Sequence, residues 1–318
     1  MNSQGVQFSE AQQRVVDRLT LQWVEILCRV DRHLTGPEAE EMEMAFYEDW
    51  ITRPDGTVHI AVIDSETTSL DPGTAEVIGL GVLCVRVDRA SGQMLSIVRS
   101  AFGWQEPKSY PPAAEAVTGL AASRLVGCPF DRPRIKALLS QSDLVVVRHA
   151  GFERPFLEPL FPQLAELRFA CALHDIEWRN GQKMSHPSIN GLLNAYRLGS
   201  SDKTPEGDCH ALVKILSQPL LISPETGFRC LIAASSQVTI DCAIPDADTA
   251  AEKHLWALGF CRKRDRLVLQ CEDAAHALAL ETRVIDLAVG HPAFQGLRMW
   301  RVDAVGRFRT AVGTSLPA

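Results

Sequence analysis

Two carboxylates stand one residue apart at the end of an apolar run. Asp64 and Glu66 directly follow residues 60–63, Ile-Ala-Val-Ile. Residues i and i+2 of a β-strand point to the same side, so both side chains would project together from a buried strand end. Buried carboxylates repel each other unless a cation lies between them, and hard oxygen ligands suit Mg²⁺ or Mn²⁺. The alternative is a solvated strand end; the following Thr-Thr-Ser-Leu-Asp-Pro, second strand and hairpin favour the metal site.

The segment Asp-Ser-Glu-Thr-Thr-Ser-Leu at residues 64–70 resembles the first motif of the DEDDh 3′-5′ exonucleases. This is the family of the proofreading epsilon subunit of bacterial DNA polymerase III, and it includes stand-alone bacterial members. Ser69 replaces a glycine of the family pattern, and the resemblance extends over residues 57–217. It implies a ribonuclease-H-like fold and a site where four carboxylates hold two divalent metals, Mg²⁺ or Mn²⁺. A histidine of the family removes a proton from the attacking water.

The third acid of the family falls in the segment Val-Arg-His-Ala-Gly-Phe-Glu-Arg. Glu153 stands there in place of an aspartate, so the carboxylate is retained but reaches one methylene further. Arg148 and His149 replace the family's histidine and asparagine. The second motif is therefore altered, although its acid is kept.

The fourth acid falls in the segment Lys-Thr-Pro-Glu-Gly-Asp-Cys-His-Ala-Leu. Asp208 matches the family's aspartate, and Lys203 occupies the place of the histidine base. Gly79 also stands where many members carry glutamate. The resemblance thus predicts these metal ligands, which with Lys203 form the predicted catalytic set: Asp64, Glu66, Glu153 and Asp208.

The exchange of histidine for lysine changes the chemistry of the base. Histidine, with a pKa near 6.5, accepts a proton at neutral pH, whereas lysine, near 10.4, is already protonated. Lys203 could still orient water or stabilise developing negative charge. His149 is the better candidate to compensate, since His210 lies two residues beyond Asp208 on a helix and points elsewhere.

The resemblance also predicts a pocket for the terminal nucleotide of a single-stranded 3′ end. In the family, the segment after the first glutamate and an aromatic residue of the second motif lie in that pocket. The predicted nucleic-acid-binding residues are Thr67, Thr68, Leu70, Phe152 and His149.

Element patterns divide the chain into three parts. Residues 1–56 are predicted to form a helical arm, either a docking element for a protein partner or a cap on the core, which we favour. Residues 57–217 show three strands and then alternating helices and strands, which predicts an α/β domain with a mixed sheet. Residues 218–318 are predicted to be a small α+β module, which could also bind a protein partner. Its basic hairpin is either a phosphate contact or a soluble surface; the hairpin carries Arg262, Lys263, Arg264 and Arg266.

Composition limits the remaining classes. The 318 residues are 46% apolar and carry a net charge of −7, which argues against a protein that coats DNA. The nine cysteines include no Cys-x-x-Cys, so neither a zinc site nor a disulfide framework is indicated. With no secretory signal and no apolar run long enough for a bilayer, we expect a cytoplasmic protein without membrane contact.

Two hypotheses of different classes remain open. One is a metal-dependent 3′-5′ exonuclease, weakened by the changes at Glu153 and Lys203. The other is a silent exonuclease-like domain that binds nucleic acid or a protein partner. Retention of four acids favours the enzyme, and the double change favours the binding module.

Overall fold

The structure is a computed structural model that describes residues 54–179, 181–184, 187–244, 249–263, 266–271, 274–303 and 305–308. The predicted helical arm at residues 1–56 lies outside the described residues except for its last three. The tip of the basic hairpin, Arg264 and Asp265, lies outside them too. The arm and its role as a cap or docking element therefore stay predictions.

The sheet that carries the first motif is five-stranded and mixed. Its strands are β1 (Thr57–Thr67), β2 (Val77–Asp88), β3 (Met94–Trp104), β4 (Leu144–Val147) and β5 (Arg168–Cys171). They lie in the order β3-β2-β1-β4-β5. The first three pair antiparallel, whereas β4 pairs parallel with β1 and β5. This strand order, with its antiparallel and parallel pairs, confirms the predicted α/β fold of the ribonuclease-H-like type with a mixed sheet.

Helices cover both faces of this sheet. They are α1 (Pro112–Thr118), α2 (Arg132–Ser140), α3 (Ala150–Leu160), α4 (Ile189–Tyr196), α5 (Pro205–Leu216) and α6 (Gly227–Ala234). Side chains alternate along β1, so Ile60 and Val62 face one core, with α4, α5 and α6. Ala61 and Ile63 face the other core, with α2 and α3. The first motif is therefore held from both sides.

β1 is longer than the sequence indicates. The apolar pattern predicts that the strand ends at Asp64, but pairing with β2 continues through Glu66 to Thr67, where the register shifts. Backbone pairing does not need apolar side chains, so the strand extends into the polar motif. The backbone that carries both carboxylates is therefore held by its pairing with β2.

A glycine of β2 lets α5 approach the sheet closely. Gly81 pairs with Asp64. A Cβ atom at Gly81 would lie only 2.6 Å from the carbonyl oxygen of Pro205, the first residue of α5. Any side chain there would push this helix, and with it Asp208, away from the strand.

The C-terminal part forms a second sheet. Its strands β6 (Val238–Ala243), β7 (Cys261–Lys263), β8 (Arg266–Cys271) and β9 (Arg298–Val302) lie in the order β7-β8-β6-β9. Helices α7 (Thr249–Ala257) and α8 (Ala274–Ala288) complete this α+β module. The sequence pattern predicts a last strand from Met299 to Phe308; this is wrong, because β9 ends at Val302 and residues 305–308 form a turn.

The eight-residue helix α6 was not predicted. It begins at the end of the segment Ser-Pro-Glu-Thr-Gly, residues 223–227, which the sequence predicts as a break between the two parts. Phe228, Leu231 and Ile232 of this helix are buried in the core of the first sheet. This core therefore extends past residue 217, and the predicted boundary between folding units stays a prediction.

A buried arginine links the two sheets. Arg154 in α3 is 0% exposed, pairs with Glu158 at 2.7 Å and lies 4.2 Å above the Phe169 ring. Its Nη1 donates a hydrogen bond to the carbonyl oxygen of Arg307 at 2.6 Å. The Arg307 guanidinium in turn pairs with Asp175 after β5. The segment after β9 is thus fastened to the first sheet.

The described residues also allow two general statements. Each cysteine among them is a free thiol. Among the helices within the described ranges, none has both the length and the apolar character to cross a bilayer.

Candidate active site

Asp64 and Glu66 lie on the face of the sheet that α5 covers. They continue the row of Val62, whose carbonyl oxygen accepts a hydrogen bond from the thiol of Cys209 in α5. Both residues are half-buried. The first motif therefore places its two acids beneath the first turns of this helix, as the i, i+2 spacing predicts.

Glu153 reaches the site from the start of α3. This helix begins directly after β4, and His149 is its N-cap residue. The Glu153 side chain is 5% exposed, and its Oε1 accepts a hydrogen bond from the His149 backbone N–H at 3.2 Å. Its Oε2 is buried without a hydrogen-bond partner. An unsatisfied buried carboxylate oxygen is costly unless a cation or a proton satisfies it.

Asp208 is positioned by the start of α5. Thr204 caps the helix, as predicted, with its hydroxyl accepting from the Gly207 N–H at 3.0 Å. The Ser201 hydroxyl donates a short hydrogen bond to Asp208 Oδ1. The same hydroxyl oxygen accepts from the Lys203 N–H at 3.2 Å. Ser201 thus fixes both the loop and one oxygen of the acid.

The four predicted acids form one electrostatically coupled cluster. Burial raises the pKa of Asp64 well above its usual range, and the charges of the other three carboxylates raise it further. Burial and then Asp208 raise the pKa of Glu66 to about 7. Burial likewise raises the pKa of Glu153 to about 7. The pKa of Asp208 is also raised by burial, against the opposing hydrogen bond from Ser201.

Arg148 supplies a positive charge inside this cluster. It is half-buried at the carboxyl end of β4. Its charge lowers the pKa of three of the acids, which are Asp64, Glu153 and Asp208. A resident guanidinium therefore offsets part of the repulsion among the carboxylates.

The donor chemistry of the cluster fits a divalent cation. Carboxylate oxygens are the hard ligands that Mg²⁺ and Mn²⁺ take, and the unpartnered Oε2 of Glu153 is a donor in need of a cation. Within the described ranges, no three His, Cys, Asp or Glu side chains already surround one point as a metal site.

A cleft of about 660 Å³ opens beside the carboxylates, and two predicted site residues line it, Glu66 and Lys203. Lys203 is exposed and has a φ of 59°, in the left-handed region that residues other than glycine seldom adopt. Its charge lowers the pKa of Asp208. The lysine thus approaches the acids from the solvent side.

The five predicted nucleic-acid contacts fall into two groups. Thr67 and Thr68 use their hydroxyls for hydrogen bonds in the loop after β1. Thr68 is also buried, so it closes this loop and is poorly placed to line a pocket. Leu70, in the same loop, is 81% exposed. On α3, the rings of His149 and Phe152 stack with their centroids 6.4 Å apart.

The loop after β5 differs from its prediction. The sequence favours a solvated His174 and Asp175, with little weight given to metal ligation. His174 is indeed exposed, with its ring 5.1 Å from that of His149. The Asp175 side chain is only 6% exposed, because it pairs with Arg307. The interpretation of Asp175 as solvated is wrong, since a segment 132 residues later covers it.

Sequence reasoning missed two residues that shape the site. Ser201 carries no motif, and only its place seven residues before Asp208 could have suggested a contact. Arg148 was noted as a departure but was not assigned to the site. A cation next to a predicted ligand was the available signal.

Comparisons with known proteins give likeness in structure alone. No family model matches the chain, and no curated protein matches it. Among solved structures, Exonuclease X in complex with 5′ overhanging duplex DNA is 18% identical, with 49% of this chain and 87% of that chain covered and a TM-score of 0.36. The zinc-bound E. coli Exonuclease I–ssDNA complex is 10% identical, with 61% of this chain and 49% of that chain covered and a TM-score of 0.43. Cell-death related nuclease 4 is 15% identical, with 50% of this chain and 62% of that chain covered and a TM-score of 0.37. The chain spans about half the length of Exonuclease I.

Proposed function

We propose that the protein is a metal-dependent 3′-5′ exonuclease that acts on single-stranded nucleic-acid ends. One observation carries this proposal: three separate motifs contribute acids whose charges raise the pKa of Asp64. Clustered buried acids oppose folding. Such a cost is typical of a site that binds a cation and performs chemistry.

Each acid has a role in this proposal. Asp64, Glu66, Glu153 and Asp208 would hold Mg²⁺ or Mn²⁺. Two such ions, when bound, would supply activation of a water molecule and stabilisation of the charge that develops on the phosphodiester. Glu153 offers the oxygen that has no protein partner, and Ser201 orients the carboxylate of Asp208.

Lys203 gives the proposed enzyme its unusual character. A charged ammonium has three donors and no acceptor, so it cannot remove a proton from water. It can donate to the attacking water or to phosphoryl oxygens, and its charge already acts on Asp208. A positioned base contributes about 10²–10⁴-fold to a rate, so its loss predicts a weakened enzyme.

A 5′-labelled single strand incubated with Mn²⁺, Mg²⁺ or EDTA tests the proposal. We expect shortening from the 3′ end with either ion, none in EDTA, and faster cleavage with Mn²⁺. We expect this preference because Mg²⁺ demands near-ideal octahedral geometry, which the longer Glu153 side chain should fit less well than an aspartate. A circular strand is the control, and its digestion at the rate of the linear strand would contradict exonuclease action.

A silent binding domain is the second candidate, and Arg148 favours it. Its charge lowers the pKa of three acids and could stabilise the cluster without a metal. Calorimetric titration with Mn²⁺ separates the two functions. An enzyme requires metal binding that Asp64→Ala removes, whereas a silent domain binds single strands equally with and without Mn²⁺.

Leu70 and Phe152 are proposed to contact the terminal nucleotide. Leu70 is exposed after the first motif, and Phe152 stacks with His149 beside the acids. Replacing either residue by alanine should weaken binding of a single strand about tenfold, the effect of one lost base stack. Unchanged binding in both variants would remove this assignment.

A further inference from the structure

The cleft beside the carboxylates has two unlike walls. One is the start of α5 and its preceding loop, with Lys203, Pro205 and Glu206. The other carries the rings of Phe102 and Trp104 from β3, together with Arg124 and Arg134. Glu66 also lines the cleft. Aromatic faces and guanidinium groups therefore meet beside a proposed catalytic acid.

The indole of Trp104 lies over Gly79, in the same row of the sheet as Glu66. Glu66 pairs with Gly79 on β2, and Gly79 pairs with Trp104 on β3, so the three lie in one row on one face. A Cβ atom at Gly79 would lie 2.5 Å from Cζ3 of Trp104. The absence of a side chain at Gly79 thus makes room for the indole. Two strand spacings, about 10 Å, separate the backbones of Trp104 and Glu66.

The cations of this wall come from two rigid elements. Arg124 is exposed on a short 3₁₀-helix, residues Ala122–Arg124, which is followed by the buried Leu125. Arg134 is half-buried in the first turns of α2, whose N-cap is Asp131. The opposite wall carries Asp202 and Glu206 with Lys203, whereas the wall with the indole carries two arginines with Asp131, so positive charge is in excess on the indole side.

We infer that this cleft binds the single strand on the 5′ side of the terminal nucleotide. The base of the next nucleotide stacks on Trp104, and its phosphate contacts Arg124, with Arg134 beside it. The inference rests on the proposed function, because that function fixes which end of the strand reaches Glu66. Stacking and phosphate contacts do not read sequence, so the cleft accepts any base.

The cleft selects single strands over duplexes. Stacking on a protein ring requires a base that has left its own stack, which single strands provide at little cost. A volume of about 660 Å³ lies within the range of pockets that enclose small ligands, and suits one or two nucleotides better than a duplex. The substrate is therefore unpaired for at least its last two nucleotides.

Fluorescence anisotropy of a labelled single-stranded DNA 10-mer tests binding, in EDTA and again with Ca²⁺. Trp104→Ala and Arg124→Gln should each weaken binding about tenfold. Arg124→Gln should also reduce the slope of log K against log salt by about 0.7, the value for one single-strand phosphate contact. Matched controls are Trp256→Ala on α7 and Lys136→Gln, an exposed position of α2 outside the cleft.

Trp104 also packs near Ile78, Leu120 and Leu125, so its alanine variant must first pass a thermal-unfolding check. If that variant does not fold, Arg124→Gln and the more conservative Trp104→Phe test the inference instead. Trp104→Phe should retain most of the binding. A wild-type protein that binds no 10-mer in either buffer, or an Arg124→Gln variant that binds as wild type does, overturns the inference.

A small substrate separates this inference from the proposed function. The p-nitrophenyl ester of thymidine 5′-monophosphate carries a terminal nucleotide and nothing on its 5′ side except the leaving group. With Mn²⁺, Arg124→Gln should lower the kcat/KM of the oligonucleotide about tenfold more than that of the small substrate. Equal losses on both substrates contradict a strand site. If the wild type hydrolyses neither substrate, the proposed nuclease activity is contradicted, while the anisotropy measurement still tests whether the cleft binds the strand.

Discussion

The two sheets differ in how their charged side chains are arranged. In the C-terminal module, acids and bases are paired across the structure, in the pairs Arg262–Glu252, Arg266–Asp241 and Arg301–Glu281. At the end of the first sheet, acids instead face one another. A hydrogen bond that Arg301 donates to Glu281 raises the pKa of Arg301 and favours its charged form. Burial and neighbouring acids raise the pKa of Asp64 and disfavour its charged form.

This contrast shows where the chain gives up stability. Exposed ion pairs add little to the stability of the folded state and do not reduce it. Buried like charges oppose folding, and proteins tolerate them mainly at functional sites. The charge arrangement therefore separates a site from a scaffold without any reference to a known activity.

The largest expected effect is the loss of activity on removal of one clustered acid. Asp64→Ala should lower the exonuclease rate by about 10³-fold or more, because a metal ion contributes several kcal/mol to transition-state stabilisation. Asp241→Asn in the module is the matched control and should keep the rate within about twofold. The single-strand assay with Mn²⁺ measures both. Equal losses would erase the distinction between the two sheets.

A restoration series sharpens the comparison further. Lys203→His should raise the rate near neutral pH by up to about 10²–10⁴-fold, since it returns a group able to accept a proton. Glu153→Asp should add to this, and the two changes should couple because they share one site. Rates of the single and double variants, with metal binding measured alongside, provide the test. An inactive double variant that binds Mn²⁺ normally favours the silent domain.

The stability of the metal-free protein should rise when a clustered acid is neutralised. The pKa of Glu153 is raised from 4.5 to about 7, so its ionisation opposes folding above pH 7. Glu153→Gln should thus stabilise the protein by about 3 kcal/mol at pH 8 in EDTA. The gain should shrink as the pH falls from about 7 to 4.5, where both states become protonated.

Urea unfolding at pH 8 and pH 4.5 measures this effect. Glu115→Gln on α1 is an exposed control and should change stability little at either pH. A Glu153→Gln variant that is less stable than wild type at pH 8 would show that the site carries no such cost.

The smallest effect is expected in the module. Glu281 accepts a hydrogen bond from the Nε of Arg301 at 2.9 Å. Glu281→Ala should cost less than about 1 kcal/mol of stability and leave nuclease activity unchanged. A double-mutant cycle with Arg301→Ala, followed by urea unfolding, isolates the pair. A coupling above 2 kcal/mol would mean that the module, too, depends on its charges.

The sequence predicted elements whose signals are local. β4 was located at Leu144–Val147 because the run is apolar and bounded by polar residues, and α5 because Thr204 and Pro205 form a helix start. α6 was missed, since eight residues are too few for a periodic pattern to stand out. The last strand was predicted too long, because turns after Val302 keep apolar residues for packing, such as Phe308.

The acids of the candidate site were predictable, but their environment was not. Asp64, Glu66, Glu153 and Asp208 could be named from motifs. The hydrogen bond from Ser201, the field of Arg148 and the indole above Gly79 arise where distant segments meet. Such contacts depend on the assembled fold, and no local pattern carries them.

The link between Arg154 and Arg307 bears on how the protein is made. The ribosome synthesises the guanidinium of Arg154 long before its acceptor, which lies 153 residues later. Until then Arg154 keeps its ion pair with Glu158, but a buried donor without its acceptor costs about 1–3 kcal/mol. Nascent chains that have not reached Arg307 should therefore hold α3 and its Glu153 loosely, and the active centre should be completed only late in translation.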